Sequence, residues 1–235
     1  LKRKGADLLI SPNGSPYERN KLIKRHNEVY KRCNENNIPI IYLNLIGGQD
    51  DQVFDGGSFV MDNRGNKIIQ LPQFERSTLI LEFENREPFF KKSVTFKKEI
   101  KNNLSQDYRA ISEGTKDYIL KSGFKNVLVG LSGGIDSALV ATIAVDILGC
   151  ENVFCIKLPS QYTSKLSLID AEELANNLKI NIKTISITEI YNLIKGTLFP
   201  SETNQKESET EENIQSRIRG LILMAFSNKN NSLLL

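Results

Sequence analysis

Histidine and cysteine are scarce in this 235-residue chain, and each shortage excludes some chemistry. A single histidine, His26, leaves no room for a multi-histidine metal site. It stands among Lys24, Arg25 and Asn27, a setting that predicts a surface residue rather than a catalytic one. Cys33, Cys150 and Cys155 are odd in number and fit no metal-binding spacing. They read as reduced thiols, which suits a cytoplasmic, reducing compartment. Every apolar run is far shorter than the about 18 residues of a membrane span, and no secretory signal is present. Net charge is also scant, at +3, so nothing points to nucleic acid or a membrane surface as partner. An initiator Met is missing as well: Leu1 to Gly5 lead straight into the strand-like run Ala6 to Ile10. The other end stops on Ser232-Leu233-Leu234-Leu235, an apolar run without a cap. Both ends therefore predict a chain cut from the middle of a longer fold.

What is present suits a globular protein of one to two domains, with 40% hydrophobic residues to build a core. Residues 5–83 alternate strand and helix signals. Ala6 to Ser11 is a strand closed by the turn-rich Ser11-Pro12-Asn13-Gly14-Ser15-Pro16. Arg19 to Asn36 is a polar helix with Leu22, Val29 and Cys33 on one face. Ile38 to Asn44 is a strand, broken by Gly47 and Gly48. Ser58 to Met61 and Asn66 to Ile69 flank the hairpin signal Asp62-Asn63-Arg64-Gly65, and Leu79 to Phe83 predicts a further strand. Lysine-rich residues 84–104 read as a surface linker.

Alternation then restarts. Tyr108 to Ser122 predicts an amphipathic helix with Ile111, Ile119 and Leu120 inward. Asn126 to Gly130, Val153 to Leu158 and Ile182 to Ile187 predict strands, separated by helices from Ser137 to Leu148 and from Leu168 to Leu178. Helices at this spacing imply a parallel, doubly wound α/β sheet. Residues 200–212 read as a mobile loop and Glu212 to Asn228 as a helix.

The strongest signal is Gly130-Leu131-Ser132-Gly133-Gly134-Ile135-Asp136-Ser137, set between a buried strand and a helix. Such a strand delivers the loop to the carboxyl edge of the sheet, where open α/β folds bind ligands. Two glycines let the backbone turn tightly and bring N–H groups against phosphate oxygens. The helix start adds unpaired donors and the positive end of its dipole. Ser132 and Ser137 are candidate hydroxyl donors. Asp136 makes sense beside an anion only if it holds a Mg²⁺ that bridges phosphates. No lysine follows the glycines, so the loop is not of the Walker type. Residues 130–137 are thus the candidate ATP site, with Asp136 as the metal ligand.

This loop resembles that of the N-type ATP pyrophosphatases, which include the NAD, GMP and asparagine synthetases. Further stretches narrow the likeness. Leu158 to Ser164 resembles the MPSRYTS segment of the family, and Thr210 to Gly220 its TEENxQARxRG segment. Gly47 to Ser58 resembles the VGGQDELVFDGGS run of a nitrilase-like glutaminase domain, and Asn13 to Tyr17 its NASP(Y) segment. Together these resemble the glutamine-dependent NAD synthetases over nearly the whole chain. The resemblance implies the C-terminal half of a nitrilase-like αββα sandwich at residues 1–84, a linker at 85–104 and part of a synthetase domain at 105–235. It implies that ATP adenylates the carboxylate of deamido-NAD and that ammonia, free or drawn from glutamine, displaces AMP. By the same resemblance Asn213 contacts deamido-NAD, Ser15 and Lys21 contact glutamine, and the complete protein is a homo-oligomer.

Departures accompany the likeness. The Glu–Lys–Cys set of the family's glutaminase has no counterpart here, and Cys33, within a predicted polar helix, is not the nucleophile. The family's TGNKSE-like segment, with its second acid for Mg²⁺, would follow the strand begun at Leu233. Gln161 stands where the family often has arginine. The alternatives to an NAD-forming enzyme are an inactive or split fragment that keeps only nucleotide binding or partner interaction, and another amidating enzyme with the same loop.

Overall fold

The computed structural model describes residues 2–85, 89–90, 103–199 and 209–235. Its contacts divide into two compact units, Leu1–Tyr118 and Ile119–Leu235. Most of the linker expected at 85–104, and residues 200–208 of the expected mobile loop, lie outside the described residues.

In the first unit, β1 (Leu9–Asn13), β2 (Ile40–Asn44), β5 (Phe59–Met61) and β6 (Lys67–Gln70) form one sheet in the order β1-β2-β5-β6. The β1–β2 pair is parallel and the others are antiparallel. A parallel pair needs a crossover, and α1 (Lys21–Asn36) supplies it. Its buried residues are Arg25, Val29 and Cys33, four apart, so they form one stripe. Strand alternation then sorts the apolar residues by face. Ile40, Phe59 and Met61 meet Val29 and Cys33 under α1, while Val60 and Ile69 face Leu79, Leu81, Phe83 and Phe90.

The hairpin expected at residues 62–65 is present. Asp62 Oδ1 accepts from the amides of Arg64 (2.9 Å) and Asn66 (2.7 Å), and Gly65 takes the left-handed φ of +78°. Leu79 to Phe83 departs from expectation. It keeps the alternation of a strand, with Ile80 pointing out, yet among the described residues it joins no ladder apart from a bridge between Phe83 and Phe90. Gly47 and Gly48 do not break the chain's pairing but lie inside β3 (Ile46–Gln49), which pairs with β4 (Gln52–Asp55). A Cβ on Gly48 would come within 3.0 Å of the Gly114 backbone, so the glycine permits a close approach of α2 (Asn103–Lys121). His26 is not a free surface residue: its ring stands edge-on to Phe59 at 4.5 Å and Nε2 lies 2.7 Å from Gln70 Oε1.

The second unit is a four-stranded sheet with every pair parallel, in the order β10-β7-β8-β9. The strands are β7 (Val127–Gly130), β8 (Val153–Lys157), β9 (Asn181–Thr184) and β10 (Leu233–Leu234). α3 (Ile135–Leu148) and α4 (Lys165–Leu178) present the small residues Ala141, Ala144, Ala171 and Ala175 to one face of β7 and β8. The helix α6 (Glu209–Asn230) packs against β7 from Leu223, which touches Gly130. This is the doubly wound α/β arrangement expected. β8 and β9 are added on one side of β7 and β10 on the other, so the winding reverses beside β7. α3 ends as expected at Gly149, whose φ of +84° turns the chain out of the helix.

Three expectations need correction. The ladder of β9 stops at Thr184, although the amides of Ile185 and Ile187 still reach the carbonyls of Lys157 and Pro159. α5 (Thr188–Leu198) then follows, unforeseen, with Tyr191 fully buried against Ile218. In α2 only Ile119 of the expected apolar face is buried, while Ile111 and Leu120 are about half exposed, at 51% and 48%. α6 begins at Glu209, so residues 209–211 are helical rather than loop. Glu211 is buried there and paired with Lys195, which fixes the early start. Among the described residues no helix is long and apolar enough to cross a membrane.

Two measurements check this packing. Replacing Ile119 by Ala should lower unfolding free energy by roughly 2–5 kcal/mol, and Ile111→Ala by no more than about 0.5 kcal/mol, in urea titrations. Burial pushes the Cys33 thiol up to about 11 and that of Cys155 up to about 12. At pH 8 both therefore stay protonated as well as covered, and a thiol reagent should titrate Cys150 alone until denaturant exposes the other two.

Candidate functional site: a phosphate-type loop at the head of a parallel sheet

The loop after β7 begins by extending the sheet. The Leu131 amide donates to the Ile156 carbonyl at 2.9 Å and its side chain is buried. From Ser132 onward the chain leaves the sheet and is held by its own hydroxyls. The Ser132 amide donates to Ser137 Oγ at 3.2 Å, and the two hydroxyl oxygens lie 3.0 Å apart. Ser137 Oγ donates to the Gly134 carbonyl at 3.0 Å, and the Gly134 amide donates to Ser132 Oγ at 3.1 Å. Ser132 and Ser137, expected to donate to a ligand, are engaged here with each other and with the loop backbone, Ser137 donating to the Gly134 carbonyl.

Gly133 carries the bend. Its φ is +85°, and a Cβ there would collide with the backbone carbonyl of Ser167 in the first turn of α4. That turn is itself fixed: Ser164 caps α4 by accepting from the Ser167 amide at 3.0 Å. Gly134 is different. At φ −87° it is ordinary extended backbone, and a Cβ there would meet only Ser132 Oγ at 3.3 Å.

The result is a row of donors. Among the described residues the amides of Gly133, Ile135, Asp136 and Ser137 have no protein acceptor. They stand at the N-terminus of α3, where the helix dipole favours negative charge. Asp136 is exposed in that first turn, and its carboxylate has no protein partner among the described residues. No group of three or more His, Cys, Asp or Glu able to hold a metal occurs among them either. One unpaired carboxylate beside unbonded amides has the chemistry to hold Mg²⁺, which keeps several waters and takes one or two carboxylates with ligand phosphates.

Beside the loop a cavity of about 240 Å³ opens at the carboxyl ends of β7 and β8. Gly130, Ser132, Leu158 and Leu223 line it together with two cations, Lys157 and Arg219. Lys157, the last residue of β8, is 3% exposed and paired with Glu172 of α4. Arg219 of α6 donates through Nε to the Leu158 carbonyl at 3.1 Å, and burial holds its guanidinium below the usual range. Neither was singled out from the sequence. A lysine closing an apolar strand was the available signal for the first. Arg219 had none beyond its place on a helix whose facing was not known. Asn213 is exposed on α6, and its carbonyl accepts from Arg217 at 3.2 Å.

In the first unit, Ser15 is half-buried on the loop after β1. Its Oγ accepts from Arg25 Nε at 3.0 Å and its amide donates to Asn44 Oδ1 at 2.9 Å. Lys21, in the first turn of α1, pairs with Glu18. Cys33 is fully buried under the sheet.

Known proteins resemble this chain in sequence and fold. The family model for NAD synthase matches residues 107–235. A glutamine-dependent NAD(+) synthetase of Rhodobacter capsulatus is 46% identical over 231 residues, which cover 98% of this chain and 42% of that protein. The solved glutamine-dependent NAD+ synthetase of Acinetobacter baumannii, in complex with adenosine diphosphate, is 38% identical at a TM-score of 0.90, covering 99% of this chain and 44% of that one. A glutamine-dependent NAD(+) synthetase of Cytophaga hutchinsonii shares the fold at 20% identity and a TM-score of 0.81, covering 99% of this chain and 45% of that one. The chain thus spans less than half the length of these relatives. With more than half of its residues matched by the family model and its loop set where an open α/β sheet binds nucleotide, the chain belongs to the NAD synthase family.

Proposed function

We propose that this chain is part of a cytoplasmic glutamine-dependent NAD synthetase, a carbon–nitrogen ligase that converts deamido-NAD to NAD at the expense of ATP. The observation that carries the reading is the row of unbonded amides at Gly133, Ile135, Asp136 and Ser137 beside an unpaired carboxylate. The bound adenosine diphosphate of the Acinetobacter baumannii relative supports a nucleotide as ligand.

In this reading residues 130–137 hold the phosphates of ATP, and Arg219 gives the adjoining cavity a cationic side chain beside the Lys157–Glu172 pair. Asp136 would hold Mg²⁺, which supplies charge neutralisation on the pyrophosphate when bound. A carboxylate oxygen of deamido-NAD attacks the α-phosphorus of ATP, and pyrophosphate leaves with the electrons of the broken P–O bond. The loop amides stabilise the charge that builds on that leaving group. Ammonia then attacks the acyl carbon, AMP departs and the nitrogen gives up its proton. Asn213 contacts deamido-NAD through an amide that both donates and accepts. Ser15 and Lys21 contact glutamine in residues 1–84, read as part of a nitrilase-like glutaminase domain. Residues 85–104 are the linker, and residues 105–235 are part of the synthetase domain. Cys33 takes no part, because its thiol is buried and held protonated. The complete protein is a homo-oligomer.

Calorimetric titration of the chain with ATP tests the site. With Mg²⁺ present, Asp136→Ala should weaken binding by about tenfold or more, about 1.4 kcal/mol; without Mg²⁺ the two proteins should bind alike. Equal affinity in both conditions would remove Asp136 from the metal role. The reaction class is tested in the full-length protein with deamido-NAD, ammonia, ATP and Mg²⁺. NAD and pyrophosphate should appear in equal amounts, whereas ADP and phosphate as products would overturn adenylation.

A further inference from the structure

Arg25 is the most fully engaged cation among the described residues of the first unit, and nothing in the proposed reaction uses it. Its side chain is 4% exposed and faces Asp55, which is 1% exposed. Nη1 donates to both Asp55 oxygens, at 2.8 and 3.1 Å. Nη2 donates to the carbonyls of Ser15 (2.8 Å) and Pro16 (3.1 Å), and Nε to Ser15 Oγ (3.0 Å). The guanidinium thereby makes five N–H···O contacts, with all three of its nitrogens engaged. Asp55 is held in turn, its Oδ2 accepting from Gln73 Nε2 at 2.7 Å.

Stability alone does not account for this arrangement. The desolvation of a buried ion pair offsets most of its attraction, so apolar residues of equal volume would often serve as well. What the pair accomplishes is geometric. Every backbone polar atom of Ser15 is fixed: its amide by Asn44 Oδ1 at 2.9 Å, and its carbonyl by Arg25 and by Asn44 Nδ2 at 3.1 Å. Two residues on, the Tyr17 amide is anchored to the Val53 carbonyl at 2.7 Å. Because Nε has no lone pair to offer, Ser15 Oγ must accept from it. The hydroxyl proton, which has no protein acceptor among the described residues, is then left to donate outward.

We propose that Arg25 is a positioning residue that fixes Ser15 as a hydrogen-bond donor for an oxygen of the glutamine substrate. This rests on the reading of Ser15 as a glutamine contact. Lysine at position 25 would keep the charge against Asp55 but could not reach the three Ser15 and Pro16 acceptors as well.

The test is the glutamine KM of the full-length protein in a double-mutant cycle of Arg25→Lys and Ser15→Ala, with circular dichroism to verify folding. Each single change should raise KM by about tenfold, from the loss of one substrate hydrogen bond. The double variant should show no more than the larger single loss, since the two act through one contact. Losses that multiply, or an Arg25→Lys protein with unchanged KM, would overturn the proposal. If Arg25→Lys does not fold, Arg25→Lys with Asp55→Glu, in which a longer carboxylate meets the shorter cation, takes its place in the cycle. An unmodified protein that uses ammonia but not glutamine would overturn the glutamine reading of Ser15 and this inference with it, while the ATP reading of residues 130–137 would stand.

Discussion

The approach of Gly133 to the Ser167 carbonyl is the contact on which the nucleotide-type site depends. At φ +85° the chain turns back on itself, and the space a side chain would need is taken by the backbone of α4. Once that turn is made, the remaining loop has little freedom. Ser132 and Ser137 close it with their hydroxyls, and α3 starts with its amides pointing into open space rather than at protein carbonyls. A loop held this way loses little entropy when an anion arrives, because its donors are already in place.

The position of the loop follows from the order of the sheet. β10 is added on the far side of β7 from β8, so the helices depart to opposite faces beside the same strand. A crevice must open where they part. That crevice is the cavity at the ends of β7 and β8, and it draws Lys157 from a strand and Arg219 from a helix distant in the sequence. The first unit solves a similar problem with different means. There the loop carrying Ser15 has no helix start to aim it, and a buried guanidinium with Asn44 does the fixing.

Much of this was legible in the residues. The glycine pair between a buried strand and a helix announced the loop, and the structure shows that Gly133 is the member that must lack a Cβ. The hairpin at Asp62 to Gly65 was legible because local hydrogen bonds decide it. What was not legible depends on distant neighbours. Ile111 and Leu120 looked as apolar as Ile119, but only tertiary packing selects which stripe of α2 is covered. Gly47 and Gly48 read as breakers, yet the nearness of Gly114 makes glycine the residue a strand needs there. The burial of Arg25 was not legible either, because its partner, Asp55, lies thirty positions further on.

By itself the sequence determined the local events: where strands and helices alternate, where glycine permits a left-handed turn, and which carboxylate stands beside a helix start. Those depend on backbone sterics and on hydrogen bonds between near neighbours, which a short stretch of residues contains in full. Only the tertiary structure decided which hydroxyls were already engaged, which cations entered the cavity and which arginine was buried. Those outcomes turn on burial and charge pairing between segments far apart in the chain, and such terms do not exist until the chain has folded.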